Sequence, residues 1–334
     1  MLDKLKVACE DLNLRSSAVL VAVSGGPDSV ALLDGLTRLK GEFLLNLAIG
    51  HFNHAQRKES DEEESFVVSL GHRYNVPTYV GRLDAPLKEG VGKEAAMREE
   101  RYKFLVETAK REGYSFIALA HHMDDQAETV LLNLLRGAGV QGLKGMVPKA
   151  VRNGVILVRP LLEVSRKEIE DYIEHNKLEF RIDRTNYSSE FLRNKIRWEL
   201  IPYLERDFNP KIKERLSILA KVLGEEFDFI SSLAQKQLEG LIIYESIDEL
   251  MIGLSFLDLH EALRRQVFRL AIKRLRSDLR QIDFRHYQEF VKMLKDWPIG
   301  SILDLPLGLS VEKRRKGIRF FLRKEKKEDK KDEK

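Results

Sequence analysis

Apolar positions in the first half of the chain fall into short runs separated by longer stretches with helical spacing. The runs at 18–24, 45–53, 77–83, 116–121 and 154–162 lack clean alternation, as strands buried on both faces do. Between them, 94–111 and 165–175 repeat apolar residues at the helical period. This alternation predicts an α/β fold: a five-stranded parallel sheet with helices on both faces. After about residue 210 the alternation stops, and 211–239, 256–277 and 284–294 read as helices. Trp297, Pro298 and Gly300 break the pattern, and two short strands at 309–313 and 318–322 turn at Gly317. The expected organisation is a first domain over 1–210 and a mainly helical domain ending in a small β-element over 211–323. A tail at 324–334, in which every residue is charged, is expected to stay solvated.

With 334 residues, 43% of them hydrophobic, the chain can bury a substantial core in more than one domain. No apolar run approaches the roughly 20 residues of a membrane-spanning helix, and the first residues are too charged for a secretory signal. The expectation is a cytoplasmic protein without membrane contact. Cys9 is the single cysteine, which leaves no intrachain disulfide and no thiolate cluster. The net charge of +4 is modest, so binding to nucleic acid has to come from local clusters. Residues 261–286 carry eight Lys or Arg against three acids, and 311–323 carry six against one, a local net of +5 each. Arg265, Arg269, Lys273, Arg274, Lys313, Arg314, Arg315 and Arg319 are therefore candidates for phosphate contacts with RNA, a solvated charged surface being the plain alternative.

The first apolar run leads directly into Ser24-Gly25-Gly26-Pro27-Asp28-Ser29, and Val30 to Leu33 open an apolar helix. Two glycines let the backbone turn tightly against a phosphate, and the helix N-terminus offers free amides with a partial positive charge. Ser24 and Ser29 add hydroxyls. An aspartate beside phosphate would repel it, so Asp28 is expected to hold Mg²⁺ or orient an amide. The loop lacks the lysine of a Walker A motif. A tight turn in which Asp28 or Ser29 merely caps the helix is the simpler alternative.

Three further clusters fall near strand ends or on helices. His51, Asn53, His54 and Arg57 follow the second strand, at the edge where open α/β sheets bind ligands. The fourth strand delivers His121-His122-Met123-Asp124-Asp125-Gln126-Ala127-Glu128-Thr129. These carboxylates can bind Mg²⁺, with Asp125 beside Asp28 as the candidate pair, or hold an ammonium group or take a proton. They can equally form a capping box, with Asp125 as N-cap and Glu128 as its partner. Arg193 and Arg197, four apart, would project together from a helix and clamp a phosphate or carboxylate.

These strings also carry a family resemblance. Ser24 to Ser29 resemble the PP-loop of the N-type ATP pyrophosphatases, and HFNHAQR resembles the HxNHxxR signature of the lysidine synthetases. Glu94, Arg98 and Arg101 lie in a stretch similar to that family's ExxxR and RY helix, departing from its usual spelling at Ala96 and Met97. HHMDDQAET resembles HHxDDQxET, and Asp183, Asn186, Arg193 and Arg197 match DxSNxxxxxxRNxIR, with Thr185 in place of serine. The resemblance covers residue 24 to about residue 210. It implies an adenine nucleotide alpha hydrolase-like fold and a ligase using ATP and Mg²⁺. Such a ligase adenylates the wobble cytidine of a CAU-anticodon isoleucine tRNA and then joins free L-lysine to its C2, releasing AMP and pyrophosphate. His51, Asp125 and Glu128 all remain candidates for the base that neutralises the amine. A homodimer is compatible with the pattern. A PP-loop tRNA thiolase, a small-molecule amidotransferase and a non-enzymatic RNA-binding protein are the alternatives. The first is disfavoured by the lone cysteine, the second by the absence of a glutaminase nucleophile, and the third by the unexplained loop and carboxylates.

Overall fold

The computed structural model describes residues 1–53, 59–83, 92–181, 191–276, 279 and 281–323. The chain divides into two compact units, 1–224 and 225–334. The first contains α1 (Leu2–Asp11), β1 (Ala18–Ala22), α2 (Pro27–Phe43), β2 (Asn46–Asn53), α3 (Glu59–Tyr74), β3 (Thr78–Arg82) and α4 (Lys93–Glu112). It continues with β4 (Phe116–Ala118), α5 (Met123–Leu135), α6 (Val140–Leu143), β5 (Lys149–Arg152), β6 (Val155–Val158) and α7 (Arg166–Asn176). Then α8 (Phe191–Lys195) passes through a π-helical turn, Ile196–Leu200, into α9 (Ile201–Asp207), and α10 (Ile212–Leu241) crosses the boundary between the units.

The sheet runs β3-β2-β1-β4-β6-β5. Its first five strands are parallel, as the alternation predicts, and β5 is an antiparallel edge strand paired with β6 that the sequence pattern does not anticipate. That strand has only four residues, half of them exposed, so it carries little apolar signal. Period-two alternation explains the burial on both sides. Val19, Val21, Leu47, Ile49 and Ala118 join a core with α1, α2, α3 and α7, while Leu20, Ala48 and Ile117 pack against Tyr102, Leu105 and Val106 of α4. A third core joins Ala127, Val130 and Leu131 of α5 to Ile196, Ile201, Leu216 and Ala220. The first part of α10 is therefore core material of unit 1. Because β1 leads outward to β2 in one direction and β4 lies on its other side, the chain reverses between β1 and β4. Ligands of open α/β sheets bind at such a reversal.

The second unit continues α10 into β7 (Ile242–Glu245), β8 (Glu249–Ile252), a 3₁₀ turn (Leu254–Asp258), α11 (Glu261–Leu275) and α12 (Phe284–Asp296). It ends in β9 (Ile302–Leu305), β10 (Leu309–Arg314) and β11 (Gly317–Leu322). The expected two-strand element is in fact a five-stranded antiparallel sheet, β7-β8-β11-β10-β9. The three additional strands have four residues each, too short to separate from loops by periodicity. The helix expected over 256–277 breaks at Leu259, whose ψ of 151° is extended, and restarts with His260 accepting from the Ala262 amide. Phe256, Phe268, Phe290 and Phe320 fill the core of this unit.

Candidate active site

The loop after β1 is built from its own side chains. Gly25 takes φ +92°, a left-handed conformation that disfavours a β-carbon, and Gly26 is the N-cap with Pro27 opening α2. The Ser24 amide donates to Ser29 Oγ (3.2 Å), the Gly26 amide donates to Ser24 Oγ (3.3 Å), and Ser29 Oγ donates to the Gly26 carbonyl (2.9 Å). From outside, the Arg181 amide donates to the Gly25 carbonyl (2.9 Å). The first-turn amides of α2 have no intrahelical acceptors and face the open end of the helix, as phosphate binding requires. His51, at the end of β2, is buried, and its Nδ1–H donates to the Val23 carbonyl at 2.8 Å. That bond makes Nε2 the unprotonated nitrogen, and Nε2 is buried without a partner among the described residues. Burial lowers the His51 pKa against the smaller opposing effects of that bond and of Glu64.

At the end of β4, His122 caps α5: Asp125 Oδ2 accepts from the His122 amide (3.1 Å) in a reciprocal capping box. The expected box with Asp125 as N-cap and Glu128 as partner is thus shifted by three residues, because the strand ends early and His122 is already extended. His122 Nε2 lies 3.7 Å from Asp28 Oδ2 and 3.5 Å from Asp125 Oδ2, so one imidazole bridges the phosphate loop and the α5 carboxylates. Burial and the nearby Asp125 raise the Asp28 carboxyl, against His122, Arg166 and Arg197. Burial alone would also raise Asp125, but His122, His121 and Arg193 hold it below its ordinary value.

Glu128, released from capping, is 2% exposed and held by two arginines. Arg193 Nε lies 3.0 Å from Glu128 Oε2, Arg197 Nε 2.5 Å from Oε1, and Arg197 Nη2 also reaches Asp125 Oδ1 at 3.2 Å. Arg193 and Arg197 do project together, and the carboxylate they clamp belongs to this chain. Asp124 accepts from the Arg166 amide (3.0 Å) and pairs with Lys213 (2.9 Å), anchoring the starts of α7 and α10. Thr129 Oγ1 donates to the Asp125 carbonyl (2.7 Å) within the helix. Asn53 donates to the Ser60 carbonyl (3.1 Å) and to Glu64 (2.8 Å), which Arg82 also holds, so it fastens α3 to the sheet. Arg98 and Arg101 lie over Tyr102, with Cζ 5.7 and 5.6 Å from the ring centroid. His54, Arg57, Asp183, Thr185 and Asn186, the Glu94 side chain and the tail at 324–334 lie outside the described residues.

Sequence reasoning misses Arg159, Arg166 and Lys213. Arg159 directly follows the apolar strand β6, immediately before Pro160, and Arg166 opens a helix behind the capping Ser165, and both positions are readable signals. Lys213 has no local signature. Among the described residues no group of three or more His, Cys, Asp or Glu is arranged to hold a metal ion. Asp28 and Asp125 nonetheless suit Mg²⁺, which takes one or two carboxylates together with substrate phosphates. Burial first, and the nearby Asp125 after it, raise the Asp28 carboxyl, and a divalent cation would offset both. Cys9 is fully buried, and burial pushes its thiol up to about 12, so it offers no thiolate for sulfur chemistry.

Residues 2–204 match the PP-loop domain family. The chain is 34% identical to a tRNA(Ile)-lysidine synthase of Clostridium tetani over 87% of its length. It is 36% identical to one of Caldanaerobacter subterraneus over 94% of its length. It spans 62% and 67% of those two relatives. Among solved structures, a U34-tRNA thiolase of Methanococcus maripaludis with its [4Fe-4S] cluster shares the fold at 18% identity. Its TM-score is 0.57, over 66% of this chain and 78% of that one. A PP-loop domain with its phosphate loop at the sheet's reversal point defines the class. Within it, the chain belongs to the tRNA(Ile)-lysidine synthase family.

Proposed function

We propose that this chain uses ATP to adenylate the wobble cytidine of a CAU-anticodon isoleucine tRNA and then joins L-lysine to the activated C2, in the cytoplasm where these substrates meet. The observation that carries the reading is His122 between Asp28 and Asp125, at 3.7 and 3.5 Å, because it joins the phosphate loop to the α5 carboxylates. In this reading the loop amides and the two serine hydroxyls bind the leaving pyrophosphate. Asp28 and Asp125 would hold Mg²⁺, which neutralises charge on the phosphates when bound.

The lysine amine must lose a proton before it attacks. Glu128 is a poor acceptor, since two guanidiniums already occupy its oxygens. His51 keeps an unpartnered Nε2 among the described residues and, with a lowered pKa, stays neutral near pH 7. Asp125, whose burial is outweighed by His122, His121 and Arg193, is ionised near pH 7. These two remain the candidates, with Glu128 and the paired arginines as positioning groups.

The test is product analysis with ATP, isoleucine tRNA and lysine added singly and together. The reading expects AMP and pyrophosphate, dependent on tRNA, and lysine incorporated only when all three are present. ADP as the product, or AMP formed without tRNA at the full rate, overturns it.

A further inference from the structure

α2 carries a carboxylate inside an apolar stretch. Residues 30–36 are all buried, and Asp34 in their midst is 4% exposed. Both its oxygens are filled: Oδ1 accepts from the Tyr74 hydroxyl of α3 (3.0 Å), and Oδ2 from the Tyr172 hydroxyl of α7 (2.5 Å) and from Arg38 Nε (2.7 Å). A buried, fully bonded charge adds little stability over a well-packed apolar residue, and its best-attested use is to fix register. The spacing shows which register. Asp28 and Asp34 stand six residues apart on α2, and Arg166 and Tyr172 six apart on α7, so each pair spans about 9 Å of helix. Tyr172 meets Asp34, and Arg166 lies near enough to Asp28 that each supports the other's charge against burial. The two helices therefore run in the same sense as a ladder with two rungs, and Ile169, between the rungs along α7, is fully buried. At the first rung the Arg166 amide is held by Asp124 (3.0 Å) and its Nε by Glu170 (2.9 Å), while Nη1 and Nη2 have no acceptor among the described residues.

We propose that Asp34 and Tyr172 are positioning residues for adenylation: they set the register of α7 along α2 and so hold Arg166 beside the phosphate loop, where its two Nη groups serve the leaving pyrophosphate. The proposal rests on the adenylation reading and adds to it a guanidinium and the residues that place it. As the cytosine C2 oxygen bonds to the α-phosphorus, the bond to the β-phosphate oxygen breaks and its electron pair stays on pyrophosphate. A guanidinium stabilises that growing charge without any proton transfer of its own. A slip of α7 by one turn, about 5.4 Å, would carry Arg166 away from Asp28. Tyr172 suits the task of preventing it, because a rigid ring with one polar atom packs against apolar surface and still reads a single acceptor. Arg38, with Cζ 5.9 Å from the centroid of that ring, holds it from a second direction.

The experiment measures tRNA-dependent AMP formation by the full chain, as kcat/KM for ATP. Arg166→Gln is expected to lower it about 10²-fold, and Tyr172→Phe, which removes only a hydroxyl, about 5- to 10-fold. Tyr172→Phe added to Arg166→Gln should lower it no further, because the register then has no guanidinium to place. Tyr74→Phe is the control: it takes a hydrogen bond from the same carboxylate but from α3, and should keep the parent value. Equal losses in Tyr172→Phe and Tyr74→Phe would reduce the Asp34 network to a matter of folding and overturn the proposal, as would losses that multiply in the double variant. An Arg166→Gln enzyme with the parent rate overturns it as well. If the unaltered protein yields ADP, or AMP at the full rate without tRNA, the functional reading and this proposal fall together. A parent that forms AMP as expected, with Tyr172→Phe unaffected, sinks the register claim alone.

Discussion

The α5 carboxylates of the first unit resemble, in sequence, the basic elements of the other unit, each being a dense set of one sign on or beside a helix. Their surroundings differ. Asp124, Asp125 and Glu128 are each answered by cations from distant parts of the chain, Lys213, Arg197 and Arg193, in a partly dry setting. In the second unit Arg274 pairs with Glu239 and Glu245, Arg314 with Glu312, and Arg319 with Glu249 and Glu312. Lys313 donates to the Trp297 carbonyl and Arg269 to that of Ile282. Five of the eight candidate RNA contacts are therefore engaged within their own unit, and Arg265, Lys273 and Arg315 stay exposed without an acidic partner among the described residues. Charge counted along a sequence measures supply. Function depends on which charges are left over and on how dry the paired ones are, since a dry partner is costly to lose while an exposed pair contributes about 0–1 kcal/mol.

The largest effect is expected where the dry network meets the phosphate loop. Asp28→Ala removes the loop's one carboxylate and its contact with His122, and should lower tRNA-dependent AMP and pyrophosphate formation by at least about 10²-fold. Binding of tRNA should change little. Pyrophosphate release assayed beside tRNA filter binding checks both, and near-normal release would remove Asp28 from the reaction.

Next comes the clamp on Glu128. Arg197→Met leaves Asp125 and a 2%-exposed carboxylate short of their main partner, and should cost about 3–5 kcal/mol in urea unfolding. The double variant Arg197→Met with Glu128→Met removes both charges and should recover most of that loss while remaining inactive. A single variant as stable as the parent would mean that water reaches the pair and that the two units do not differ in how dry their ion pairs are.

The fold was legible because short buried runs and the helical period between them are both distinct. Buried runs such as 18–24 and 45–53 cannot be anything but inner strands once amphipathic helices separate them, and Gly-Gly followed by Pro marks the turn into α2. What stayed hidden was short or set by distant parts of the chain. Strands of four residues such as β5 and β9 carry too few positions to show alternation. In the site, the motif residues could be picked out, but their partners could not. Nothing local in Arg193 or Arg197 announces that they face Glu128 some 65 and 69 positions earlier, and nothing in Lys213 announces Asp124. The unit boundary is similarly hidden inside α10, where Leu216 and Ala220 belong to the first unit's core.

A smaller effect follows from two histidines of the first unit whose charged forms burial disfavours. His51 and His121 both have folded pKa values below the ordinary 6.5, with burial as the largest cause in each. Below 6.5 the unfolded chain takes up protons that the folded state resists, so stability falls as pH drops through that value. Each histidine can lose up to about 1.4 kcal/mol per pH unit there. Thermal unfolding between about pH 7.5 and pH 5.5 should show the loss, reduced in His121→Asn. An unchanged slope in that variant would mean that His121 titrates normally and sits in water.

The smallest effect, and the one that bears most directly on the contrast between the units, concerns RNA. If only the leftover charges of the second unit meet phosphate, then Arg265→Gln, Lys273→Gln and Arg315→Gln together should weaken tRNA binding. Each phosphate contact removed should also lower the slope of log affinity against log salt by about 0.7–0.9. The engaged pair Arg274→Gln with Arg319→Gln should leave that slope unchanged and cost only about 1 kcal/mol per ion pair in stability, because those guanidiniums are already answered by glutamates. Point variants are the right instrument. A cut near residue 210 would strip Leu216 and Ala220 from the first unit's core and Lys213 from Asp124, confusing RNA affinity with folding. Equal slopes in both variants and the parent would show that the second unit's leftover charge is plain solvated surface. A reduced slope in the engaged pair would show that RNA displaces glutamates, so that pairing within the unit does not decide which arginines are available.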